Sequence, residues 1–132
     1  VSYDRTVTVQ APFDQVQQDV RRALADQGFG VLTEIDVQAT LKAKLGHDME
    51  PYLILGACNP PLAHRALEAD CSIGLLLPCN VVVRSEGDHV VVQAVAPGTM
   101  VTLTGLDAME PVAEEATRLL DAALASLTAT GG

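Results

Sequence analysis

The 132 residues contain no tryptophan and only two tyrosines and two phenylalanines. Stacking platforms for bases or sugars need exposed aromatic rings, and this chain can hardly supply one. Positive charge is also scarce: 8 Lys and Arg stand against 17 Asp and Glu, a formal charge of −9. Nucleic-acid binding needs a basic footprint to displace counterions, so no DNA or RNA partner is expected. An anionic membrane surface is disfavoured for the same reason. The longest apolar runs, near 73–77 and 90–92, fall far short of a bilayer span. No charged segment followed by a signal-type apolar stretch opens the chain, so a soluble cytoplasmic protein is the default expectation. Catalytic signatures are missing too, with no phosphate loop, G-x-S-x-G, H-E-x-x-H or EF-hand loop.

What is present is valine, leucine and alanine in quantity, and three cysteines. The length suits one domain with a single core, so residues 1–132 read as one unit without repeats or linkers. Residues 5–10 alternate around Val7 and Val9 as a short strand. Pro12 then fits the first position of a helix with Phe13, Val16, Val20 and Leu24 on one face, ended by Gly28. Residues 29–35 are β-rich, with Phe29, Val31, Thr33 and Ile35 expected on one face. Asp36 can cap a short helix with a Val37, Leu41 and Leu45 stripe, ended by Gly46.

Residues 52–57 form an apolar strand, and Asn59-Pro60 reads as the cap and first position of another helix. Residues 73–77 contain Gly74 and stop at Pro78, which suggests a buried connection. Residues 79–85 and 89–95 flank Glu86-Gly87-Asp88 as a hairpin. Pro97-Gly98 reads as a turn. From about Asp107, Val112, Ala116, Leu120, Ala123 and Leu127 mark a long terminal helix, before an Ala-Thr-Gly-Gly tail expected to fray. The order β-α-β-α-β-α-β-β-α predicts an α+β domain, with a mainly antiparallel sheet and helices packed on one face.

Three cysteines cannot all pair with one another, and in a reducing compartment they serve packing, metal binding or redox chemistry. Cys58 precedes the Asn59-Pro60 helix start, where unsatisfied N–H groups favour an anion. A thiolate there would be reactive or metal-binding; the plain alternative is a small buried hydrophobe. Cys79 follows Pro78 into a valine-rich strand and reads most simply as packing. The two cysteines do not form a C-x-x-C motif, yet both lie at strand ends and could converge. His64, one turn into the helix after Cys58, would complete a Cys-Cys-His set for a soft metal such as Zn or Cu(I), or else be an exposed helical histidine. Cys71 has no partner nearby in sequence. Glu34 and Asp36, two apart on a strand, form a candidate carboxylate pair, against which stands the reading of Asp36 as a helix cap.

Three segments carry a family likeness: Gly28-Phe29-Gly30-Val31-Leu32-Thr33-Glu34-Ile35-Asp36, Tyr52-Leu53-Ile54-Leu55-Gly56-Ala57-Cys58-Asn59-Pro60 and Gly74-Leu75-Leu76-Leu77-Pro78-Cys79-Asn80-Val81. In combination they resemble the domain-of-unknown-function 302 family, over almost the whole chain. The resemblance implies a TBP-like β-α-β4-α fold with a curved sheet, a small bacterial or archaeal protein, and a homodimer. It places Glu34, Asp36, Cys58, Asn59, Pro78 and Cys79 on the family's motif positions, and it implies no activity.

Three functions follow from these residues. A binding module would use Cys58 and Cys79, helped by Asn59, His64, Glu34 or Asp36, to hold a soft metal or a small thiol-reactive ligand. A redox protein or enzyme would use Cys58 as its activated thiolate. A structural protein would use the same residues as caps and core and act through a dimer surface.

Overall fold

Valine alternation builds the centre of the sheet. β-Branched side chains suit a pleated, half-buried surface, and Cys79–Glu86 (β4) and His89–Val95 (β5) carry them across the two-residue turn Gly87-Asp88. In the computed structural model, which describes residues 3–130 and side chains through 128, Asp4–Val9 (β1), Gly30–Asp36 (β2) and Tyr52–Cys58 (β3) extend this hairpin. The result is one antiparallel sheet in the order β1-β5-β4-β3-β2. The far end of the tail expected to fray, Gly131 and Gly132, lies outside the described residues.

The helices are Phe13–Asp26 (α1), Val37–Leu45 (α2), Pro60–Ala69 (α3), Gly98–Thr104 (α4) and Glu110–Thr130 (α5). The expected α+β order is therefore present, with α4 added to it. Pro97-Gly98 opens that short helix instead of a simple turn, because Pro97 already has helical dihedrals and Gly105, in the left-handed region, ends it. No helix among the described residues is long and apolar enough to cross a membrane.

Alternation puts Val7 and Val9, Leu53, Leu55 and Ala57, Val81 and Val83, and Val90, Val92 and Ala94 on one face. Against them pack Val16, Val20 and Leu24 of α1 and Leu120, Ala123, Leu124 and Leu127 of α5. A second, smaller cluster joins Leu62 and Ala66 of α3, Ile73, Met100 of α4, Met109, and Val112 and Ala116 of α5. Leu119 touches both clusters, so α5 is the beam that ties them together. Arg5 of β1 also grips Asp121 of α5, Nε to Oδ1 at 2.9 Å, but an exposed pair of this kind contributes at most about 1 kcal/mol.

Three local expectations change. Phe29, Val31, Thr33 and Ile35 do not share a face, because the β2–β3 register slips between Val31 and Thr33. Leu32 is the extra residue of a β-bulge, which sends Thr33 and Ile35 to the sheet face opposite Val31. Residues 71–76 form a 3-10 helix in which Ile73 alone is buried, while Leu75 is 88 % exposed. The Val37, Leu41 and Leu45 stripe exists on α2, but no residue of that helix is fully buried.

The bulge makes one glycine indispensable. A Cβ on Gly56 would collide with the Thr33 hydroxyl, which the slip brings opposite it, and would stand 2.8 Å from Cγ of Pro78. The Pro78 ring cannot swing aside, and the Thr33 hydroxyl can leave only by changing its χ1 rotamer. Gly56→Ala is expected to destabilise the domain by about 1–3 kcal/mol, the usual cost of overpacking, as read from urea unfolding. Thr33→Ala should relieve part of that loss in the double variant.

Candidate functional site

At one end of the sheet β3 stops at Cys58 and the chain turns into α3. Asn59 makes that turn: its backbone is extended and its Oδ1 accepts a hydrogen bond from the Leu62 N–H at 3.3 Å, as the Asn-Pro sequence predicts. Its Nδ2 lies 3.5 Å from the carbonyl oxygen of Gln27, at the end of α1. Gly28, at φ 85° in that same corner, leaves room for this amide. On the neighbouring strand Cys79 pairs with Ala57, the residue before Cys58. Directly opposed Cα atoms in an antiparallel pair lie about 4.5–5.5 Å apart, so the register brings the two cysteines to one corner.

That corner is hollow. A cavity of about 30 Å³ lies between the two hydrophobic clusters, lined by Phe29 and Ala57 from the sheet side and by Leu62, Ala66, Met100, Val112 and Ala116 from the helices. Cys58, Asn59 and Cys79 line it as well, together with Leu77 and Pro78. Strict alternation would turn Cys58 away from Ala57. Cys79, opposite Ala57, shares the core face, and Cys58, the last residue of β3, lines the same cavity at the turn into α3.

Burial pushes the Cys79 thiol above its ordinary pKa, and the nearby Cys58 thiol pushes it in the same direction. A thiolate at Cys79 would be poorly solvated, which is why burial favours its protonated form. The two sulfurs are thus within electrostatic reach of each other while both remain free thiols. Cys79 is therefore not an activated nucleophile. The third cysteine, Cys71, is exposed on the 3-10 helix and takes no part in the cavity.

The other candidates sit elsewhere. His64 faces solvent on α3 and its Nε2 pairs with Glu68 Oε1 one turn later, at 3.1 Å. Glu34 stands opposite Leu55 of β3 and is taken up by Arg21 of α1. Asp36 caps α2, accepting from the Ala39 N–H at 2.9 Å. None of these three lines the hollow, and among the described residues no group of three or more His, Cys, Asp and Glu is placed to hold a metal ion. Of the sequence candidates, Cys58, Asn59 and Cys79 line the cavity, and so does Met100, which the sequence reading did not single out. A seven-residue helix is too short for its apolar spacing to stand out, so nothing in the chain marked Met100 in advance.

The model of the family described as Domain of unknown function DUF302 matches residues 5–127. The chain belongs to that family. A solved structure, the crystal structure of an uncharacterized conserved DUF302 protein from Bacillus stearothermophilus, superposes with a TM-score of 0.89 at 29% identity, covering 96% of this chain and 99% of that one. No curated protein matches the chain.

The geometry sets an order of reactivity. Alkylation of the native, reduced protein near pH 8 should modify exposed Cys71 first and Cys79 last, as followed by peptide mass spectrometry. Modification of Cys79 ahead of Cys71 would contradict the burial described. The same burial gives a pH dependence. The folded state holds the Cys79 proton to higher pH than the unfolded chain does, so its contribution to stability is constant below about pH 8.5 and is lost as pH rises through the folded pKa. Urea midpoints measured from pH 7 to 10 should fall at the alkaline end, and fall less in Cys79→Ala.

Proposed function

We propose that this domain is a binding module for a soft metal ion, held between Cys58 and Cys79. The observation that carries the reading is the shared cavity: both cysteines line one small, largely apolar hollow with no Asp, Glu or His among its lining residues. Size narrows the ligand. Pockets for organic molecules run to about 300–1,000 Å³, whereas about 30 Å³ accommodates a water or a single ion. Chemistry narrows it again, since hard cations require oxygen ligands and thiolates select soft ions such as Cu(I) or zinc. Asn59 serves the site from its edge, as the cap that fixes the direction in which the chain leaves Cys58.

The alternative with Cys58 as a redox or catalytic thiolate rests on the same proximity. It lacks a base, because His64 is turned away toward Glu68. Burial of Cys79 also suits a thiol that stays protonated until a metal displaces the proton.

The test uses reduced, metal-stripped protein made without an affinity tag. Titration with Cu(I) or Zn(II) should show one ion per chain, with protons released on binding and affinity rising from pH 7 to 9. Cys58→Ser and Cys79→Ser should each weaken binding by more than the 10–100-fold typical of losing an outer-shell partner, while Cys71→Ser changes nothing. Equal binding by the Cys58→Ser/Cys79→Ser double variant would sink the reading.

A further inference from the structure

Met100 is buried, 5 % exposed, and its place in the small helical cluster accounts for that burial without any function. Its position relative to the thiols is a separate fact. Of the two methionines in this cluster, Met109 is the more deeply buried and stays off the cavity, whereas Met100 lines it beside Cys58 and Cys79. Three sulfur-bearing residues thus line one hollow whose other lining residues are apolar, apart from Asn59. The Asn59 amide is committed at both ends, with its oxygen at the Leu62 N–H and its nitrogen toward the Gln27 carbonyl.

We propose that Met100 is the third donor of this site, and that two thiolates and one thioether make it selective for cuprous copper. The proposal rests on the two-thiol reading above and deepens it. Zinc sites take four ligands from thiolate, imidazole and carboxylate, and the walls offer only two of those. Thioether and thiolate together are the donor set that selects Cu(I).

The surroundings also provide a way in. Leu77, Pro78, Cys79 and Met100 form the partition between the small cavity and an outer groove of about 360 Å³. Two of the three sulfur residues therefore stand on the wall that an arriving ion meets first. The groove carries Leu75 and Leu103, exposed by 88 % and 69 %, alongside Tyr3, Asn80 and Thr99, so the approach is largely apolar and offers no carboxylate to a hydrated hard cation.

The experiment is an anaerobic Cu(I) titration against a chromophoric chelator, with zinc as competitor. The wild-type chain should bind one Cu(I), and excess zinc should fail to displace it. Met100→Leu, a swap that conserves volume, should lose at least about tenfold in Cu(I) affinity, the lower end of what even outer-shell partners cost. Met109→Leu, in the same cluster but off the cavity, should bind as wild type does. Selenomethionine-labelled wild-type protein gives a measurement that needs no variant: copper-edge X-ray absorption should show one selenium and two sulfur neighbours. Copper with sulfur neighbours alone, or unchanged affinity in Met100→Leu, overturns the role of Met100 and leaves the two-thiol site standing. Failure of the wild-type chain to bind Cu(I) at all overturns both.

Discussion

The register between β3 and β4 positions everything else at this end of the molecule. Ala57 faces Cys79 and Gly56 faces Asn80, which carries Pro78 over Gly56 and leaves Cys58 and Cys79 one register step apart where the strands end. A slip of one residue would reverse the faces of β4, moving Val81 and Val83 out of the core. The hydrophobic pattern that buries those valines therefore also sets where the two cysteines stand relative to each other. Fold stability and site geometry are here the same constraint.

The cavity exists because two clusters meet without merging. The sheet with α1 and α5 makes one core, and α3, α4 and the start of α5 make another. At their seam the chain places sulfur atoms and small side chains, including Ala57, Ala66 and Ala116, where larger residues would close the gap. Protein interiors are normally packed to near-crystalline density, so a hollow lined this way is a local exception. Sulfur suits the exception: it is polarizable enough to pack as a hydrophobe and becomes a ligand when deprotonated. The overall charge of −9 resides elsewhere, on side chains such as Glu114, Asp48 and Asp88 that face solvent.

Much of the fold was legible in the sequence. Capping residues Asp36 and Asn59, the stop at Gly28, the valine hairpin and the terminal helix each act through local chemistry, and each stands where the chain predicts it. The bulge at Leu32 was not legible, because it answers to Gly56 on the neighbouring strand and to Pro78 just ahead of β4. The site was legible in halves. Two strand-end cysteines were visible as candidates, but their meeting depends on register, and Met100 depends on a helix too short to show a period. His64, Glu34 and Asp36 had the right chemistry for ligands, and solvent, an arginine and a helix end took them instead.

The central claim is that Cys58 and Cys79 open onto one hollow within a single chain. Mercuric ion tests it most directly, since it bridges two thiols only where both sulfurs can reach it. In dilute Cys71→Ser protein, one equivalent should consume both remaining thiols, and intact-mass analysis should show a single chain carrying one mercury in place of two protons. Chains cross-linked in pairs, or one free thiol left on each mercury-bearing chain, would contradict it.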